Sequence, residues 1–251
     1  MTRYEQARAA LDNNIIPLQV YYRDVQILPD LERAGIRTTL NVNSPDLGVL
    51  TTNEYRFVTA RNSQCEELAY RHLKKIFMAL PDLPDVVHWV SAWIPKRLVK
   101  DRKLFTMLSD LIRQFPKSLP NRVCLEIPAD ILYEDFEQIA ADLTKAREMG
   151  FLIALTEVGD GFCPILQSAG FKFDYVFLSK ETAELVGTPK SDPVIGSIVR
   201  FFNYFGTKVV LEGKLDETAQ AELDTMGMFG ICSTENDGLF PPYSNKGGED
   251  E

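Results

Sequence analysis

Four cysteines and two histidines are few for a chain of 251 residues, and their spacing is open. Cys65, Cys124, Cys163 and Cys232 form no Cys-x-x-Cys, and only His72 and His88 could join them. That pattern supplies neither a zinc knuckle nor a disulfide framework, so Cys124, inside an apolar run, reads as a reduced thiol packed like a small hydrophobe. Long apolar runs are also missing. None approaches the roughly 18 residues of a membrane-spanning helix, and the polar start Met1-Thr-Arg-Tyr-Glu-Gln is unlike a signal peptide. The sequence reads as a soluble cytoplasmic protein with no membrane partner. Positive charge is short as well: 27 Lys and Arg face 36 Asp and Glu, for a net charge of −9. This acidic balance weighs against a nucleic-acid surface. The densest basic run, Lys96 to Lys103, reads as a solvated helix start rather than a phosphate cradle.

What the chain does have is a recurring unit. Phe136, Ile139, Ala140, Leu143 and Ala146 fall three or four residues apart and predict one apolar helix stripe, with Gly150 at the left-handed end. Five apolar residues, Phe151 to Leu155, then predict a strand buried on both faces, as parallel sheets require. The strand stops at Thr156-Glu157, and the chain turns through Gly159 and Gly161. Helix, Gly, short strand and polar residue recur at Gly170 into Tyr175–Leu178 and Ser179, at Gly206 into Lys208–Leu211 and Glu212, and at Gly227 into Met228–Ile231 and Cys232. Four such units in half the chain predict eight in all, an α/β fold of the (β/α)8 barrel type, which takes about 250 residues.

The first half fits that count. Strands are predicted over Ile15–Ile27, Ile36–Val42, Val86–Ile94 and Arg122–Ile127, with helices over Cys65–Ala79, around Leu104–Ile112 and over Tyr133–Met149. Thr51 with Glu54 forms a capping box that starts a further helix near Asn53. Ile195, Ile198, Val199, Phe202 and Phe205 mark a further helix with Pro193 near its first turn, and Asp216 is the N-cap of Glu217–Met226. One domain is expected over residues 1–251, with the barrel at 15–240 and a flexible, Gly-rich acidic tail at 241–251.

Chemistry in such a barrel sits at the C-terminal strand ends. Those ends place Asn41 or Asn43, Trp93, Glu126, Thr156, Glu157, Ser179, Lys180, Glu212 and Cys232 on one face. Glu126, Glu157 and Glu212 are the candidate metal ligands, since carboxylate oxygens suit Mg²⁺ or Mn²⁺. The plainer alternative is that each pairs with a Lys or Arg or caps a helix, and the ligand set is thinner than hydrolytic metal sites usually show, so no cofactor is the expectation.

At these residues the chain resembles the EAL domains, barrel phosphodiesterases that hydrolyse cyclic di-GMP. The resemblance runs from about Leu18 to Leu239. It is carried by Leu125-Glu126-Ile127, by Ala154-Leu155-Thr156-Glu157-Val158-Gly159-Asp160-Gly161-Phe162, and by Val209-Val210-Leu211-Glu212-Gly213. It implies a barrel whose first strand is antiparallel. It also implies departures at the site. The signature Glu-Ala-Leu corresponds to Arg37-Thr38-Thr39, within one residue, so a metal-ligating Glu becomes Arg37. The phosphate-contacting Arg becomes Asn41, the ligand Asn becomes Ala92 or Ser91, and the paired aspartates become Thr156 and Glu157. The Lys that assists the attacking water becomes Phe177, and further family positions become Ala129, Leu215 and Phe229.

A two-metal mechanism needs several anionic ligands, and losing even one preorganised catalytic group commonly costs about 10²–10³ in rate. The expectation is therefore a degenerate EAL-like module without hydrolysis, regulating an unknown protein partner by contact, with Phe177, Phe229 and Phe240 filling the mouth. Two alternatives are a cyclic di-GMP receptor and a weak phosphodiesterase built on the three glutamates. The resemblance also leaves a homodimer open, with an interface changed at Asp160, Cys163 and Pro164.

Overall fold

The computed structural model describes residue 5 and residues 18–44, 48–52, 64–117, 119–159, 164–234 and 238–242. Its strands close into a barrel. Strand β1 (Leu18–Ile27) pairs antiparallel with β2 (Arg33–Ser44) on one side and with β9 (Gly230–Cys232) on the other. Between them run β4 (Trp89–Trp93), β5 (Val123–Pro128), β6 (Leu152–Val158), β7 (Tyr175–Leu178) and β8 (Lys208–Glu212), all parallel to their neighbours, in the order β1-β9-β8-β7-β6-β5-β4-β2. The pairing of β1 with β2 completes the ring of eight, and the reversed β1 agrees with what the resemblance implies. Two short additions, β3 (Gly48–Leu50) on β2 and β10 (Gly238–Leu239) on β1, lie outside that ring.

The helices pack outside by their apolar stripes. They are α1 (Gln64–Ala79), α2 (Lys96–Lys100), α3 (Leu104–Ile112), α4 (Phe136–Glu148), α5 (Lys180–Ala183), α6 (Ser197–Tyr204) and α7 (Glu217–Thr225). In α4, Phe136, Ile139, Leu143 and Ala146 are buried, and Gly150 takes φ of 102° just beyond its end. Asp216 caps α7 by accepting from the Ala219 amide at 2.8 Å. The basic run at Lys96 to Lys103 pairs with acids: Lys96 and Lys100 with Glu134, Arg97 with Asp101, and Lys103 with Glu66. One apolar cluster joins the helices to the outward faces of the strands, and a second fills the barrel interior with Val25, Trp89, Cys124, Ala154, Tyr175, Phe177, Val210 and Cys232.

Several boundaries differ from the sequence reading, each for a local reason. Strand β6 does not stop at Thr156: Thr156 pairs with Pro128 on β5 and Val158 with Leu178 on β7. Glu157 takes φ of 63° at the register shift between them, so the ladder passes over a bulge and resumes. The segment before Gly170 is a 3-10 turn, Ile165–Gly170, in place of a full helix. Pro193 sits in a π-helical turn, Ser191–Gly196, and the regular helix begins at Ser197. Strand β4 is confined to Trp89–Trp93, and β9 starts only at Gly230. The capping residue Glu54, the turn glycine Gly161, Cys163 and most of the acidic tail lie outside the described residues.

Candidate functional site

Alternate positions of a strand face opposite ways, so the barrel interior is written into the sequence with a period of two. On β1 the inward set runs through Val25 to Arg23, and on β5 through Cys124 to Glu126. On β7 it reaches Phe177, and on β8 it runs through Val210 to Glu212. Apolar side chains occupy the lower positions and polar ones the C-terminal end. There they line a cavity of about 430 Å³ whose walls include Arg23, Arg37, Asn41, Trp93, Glu126, Thr156, Glu157, Ser179, Lys180, Glu212 and Cys232.

At its centre lies Arg37. Strand register sets it opposite Arg23 on β1 and beside Ser91 on β4. Its Nε donates to Glu126 Oε1 at 2.9 Å and its Nη2 to Glu126 Oε2 at 2.6 Å, a two-pronged pair with a carboxylate only 2% exposed. Its Nη1 donates to Glu212 Oε2 at 2.8 Å, and its Nη2 also reaches Thr156 Oγ1 at 3.1 Å. Arg23 Nη1 donates to the remaining Glu212 oxygen, Oε1, at 2.7 Å. Ser91 Oγ donates to Glu126 Oε1 as well. Every oxygen of both carboxylates therefore accepts from an arginine. Beneath the guanidinium, the Phe177 ring centroid lies 4.2 Å from the Arg37 Cζ, so the face of the cation is covered too.

The electrostatics follow from this packing. Burial would strip charge from Arg37, but Glu126 and Glu212 more than compensate, and the guanidinium is held even more firmly protonated than usual. Burial alone would raise the Glu212 carboxyl, yet Arg37, Arg23 and Lys180 outweigh it and hold the group below its ordinary value. Cys232, at the cavity floor, is pushed up to about 12 by burial, so it stays a neutral thiol near neutral pH. Behind the site, Thr38 Oγ1 donates to the Ser91 carbonyl. Its oxygen can then only accept from His72 Nε2, 2.9 Å away, which fixes His72 as the neutral Nε2–H tautomer.

Sequence reasoning placed most of this face. Asn41, Trp93, Glu126, Thr156, Glu157, Ser179, Lys180, Glu212 and Cys232 all line the cavity. Asn43 is not among its walls. Phe229 and Phe240 are corrections. Phe229 precedes β9, so it lies at the opposite end of the barrel, against Tyr175 and under Lys208, near the starts of β7 and β8. Phe240 lies outside the ring, against the outer apolar cluster, with its amide donating to the Val20 carbonyl at 2.9 Å. Of the three aromatics only Phe177 stands under the site. Arg23 and the bonding role of Arg37 were missed. The available signal was parity: an arginine at an inward strand position, two residues from an apolar inward neighbour, must find an anion.

With this geometry in view, comparison with known proteins is decisive for the family. The EAL domain family model matches residues 5–231. The chain belongs to the EAL domain family. The cyclic di-GMP phosphodiesterase RocR of Pseudomonas aeruginosa is 24% identical over 234 residues, covering 92% of this chain. This chain spans only 58% of that relative. The solved FimX EAL domain from Pseudomonas aeruginosa, bound to c-di-GMP, has a TM-score of 0.79 at 10% identity, covering 94% of this chain and 97% of that one. An EAL domain protein from Listeria monocytogenes has a TM-score of 0.76 at 17% identity, covering 92% and 91%. No helix among the described residues of this EAL chain is long and apolar enough to cross a membrane.

Proposed function

We propose that this EAL domain is a non-hydrolytic regulatory module that signals through contact with a protein partner, its residues 15–240 acting as one unit in the cytoplasm. The observation that carries the reading is the arginine bonding of all four oxygens of Glu126 and Glu212. Hydrolysis in the family pattern depends on metal ions held by such carboxylates. The residues present do not fit one. A divalent ion on the same oxygens would stand about 4 Å from the guanidinium charge, a repulsion of about 8 kcal/mol even at an effective dielectric of about 20. The proton-handling Lys of the family pattern is matched by Phe177, a buried ring that can neither accept nor donate the proton.

A second reading, a receptor that holds cyclic di-GMP without cleaving it, is favoured by the roomy cavity and by Lys180, exposed at its wall. Charge weighs against it. Arg23, Arg37 and Lys180 face Glu126, Glu157, Glu181 and Glu212 around the cavity, so a dianionic ligand meets no excess of positive charge. Incubation of the purified chain with cyclic di-GMP and Mg²⁺ or Mn²⁺, followed by chromatography, tests the proposal. The expected result is no linear product above the enzyme-free control. Steady product formation would overturn it, and calorimetric binding of the dinucleotide without turnover would favour the receptor.

A further inference from the structure

We infer that Arg37 is the resident cation of this barrel: its guanidinium holds the place between Glu126 and Glu212 that a divalent ion would need. The native protein is then closed to Mg²⁺ and Mn²⁺, and it opens to them only when residue 37 is shortened. The inference rests on the non-hydrolytic reading of the same site, and it can fail while that reading stands.

Three features of the geometry carry it. The first is saturation. Arg37 alone donates to three of the four carboxylate oxygens, and Arg23 takes the fourth, so each of the four oxygens already has a cationic donor. The second is reach. Glu126 on β5 and Glu212 on β8 approach from different parts of the ring, yet both fall within 2.9 Å of nitrogens on one planar group. A hard cation binds oxygens at about 2.0–2.6 Å, so a single ion in place of that group could reach both carboxylates after small side-chain movements. Thr156 Oγ1, 3.1 Å from the same guanidinium, would add a neutral oxygen. The third is anchorage. The Phe177 ring covers one face of the guanidinium and the strand register fixes its stem beside Ser91, so the group is built in rather than swung in from a flexible surface position.

The role resembles a bound ion in its mechanical effect. Arg37 and Arg23 lie opposite one another on the antiparallel β1–β2 pair and reach past the adjoining strands β4 and β9 to the parallel strands β5 and β8. A covalently attached cation thus fastens the first strand pair to the second strand along on either side of the ring, β8 past β9 and β5 past β4, without depending on a dissociable metal.

Thermal unfolding of the full chain with and without Mn²⁺ tests this. The native protein should keep its Tm within about 1 °C between EDTA and about 5 mM MnCl₂ at matched ionic strength, since a ligand that does not bind cannot shift the equilibrium. Arg37→Ala should melt lower and be raised by about 5 °C or more on adding Mn²⁺, with no response to matched NaCl. Arg37→Lys keeps a charge at the site and should stay indifferent to Mn²⁺. If Arg37→Ala is unfolded without metal, circular dichroism in Mn²⁺ decides: recovery of the native spectrum supports the inference and its absence overturns it. A folded Arg37→Ala that ignores Mn²⁺, or calorimetric Mn²⁺ binding by the native protein at the level of about 100 μM or tighter, also overturns it. Turnover of cyclic di-GMP by the native protein would end both readings. A silent native protein with an unresponsive Arg37→Ala would end this one alone.

Discussion

His72 shows how much a single buried ring can contribute to the pH response of the barrel. It is 4% exposed on α1, bonded to Thr38 as a donor, and burial together with Lys75 lowers its pKa to about 3. The unfolded chain returns it to an ordinary value near 6.5. Between those values the unfolded state binds the extra proton, so stability is fully present above about 6.5 and falls as the solution is acidified toward 3. The loss should reach about 2 kcal/mol between pH 7 and pH 5, because each unit of pH across the window is worth about 1.4 kcal/mol. Glu212 adds loss of the same sign at lower pH, since its folded carboxyl is held below the usual value by Arg37 and Arg23. Urea unfolding at the two pH values should show this drop in the native protein, and His72→Gln should remove most of it. A His72→Gln variant with the same pH slope would show that other groups carry the effect.

At the scale of elements, the stretches that could be read in advance were those whose burial alternates or repeats. The α4 stripe, the short buried strands β7 and β8 and the Asp216 cap were all legible, because apolar period and side-chain capping are properties of neighbouring residues. The bulge at Glu157 and the π turn at Ser191–Gly196 were not. Both are settled by partners distant in sequence: β7 draws Val158 back into the ladder, and the core holds Ile195. Gly35 belongs with these. The strand predicted from the sequence starts just after it, at Ile36, but Gly35 sits inside β2 opposite Trp89, and a Cβ there would lie 2.4 Å from the indole ring. Gly35→Ala should therefore cost about 1–3 kcal/mol, since a buried indole among Tyr175 and Phe177 has little room to yield. Chemical denaturation measures the loss, and a variant as stable as the native protein would mean that the ring can move.

For the whole molecule, the barrel class was legible because four helix–strand units in half of a chain of this length leave few other ways to bury strands that are apolar on both faces. The site was legible only as a face. Strand ends announced which side chains would gather there, but how Arg37 divides itself between Glu126 and Glu212 depends on closure of the ring, which no local pattern encodes. Closure also bears on how the chain unfolds. Strand β1 is bonded to both β2 and β9, and the outer apolar cluster runs from Leu28 and Ile36 through every later strand of the ring to Ile231. Freeing any one strand of the ring exposes its neighbours' edges together with part of that cluster, so the barrel should lose its structure in one step. Tryptophan emission reports on β4, which holds both indoles, whereas far-ultraviolet circular dichroism is weighted toward the helices around the whole ring. The two urea transitions should coincide in midpoint and slope. Transitions separated by more than their fitting error would mean that one arc of the barrel opens first and that residues 15–240 do not act as one unit.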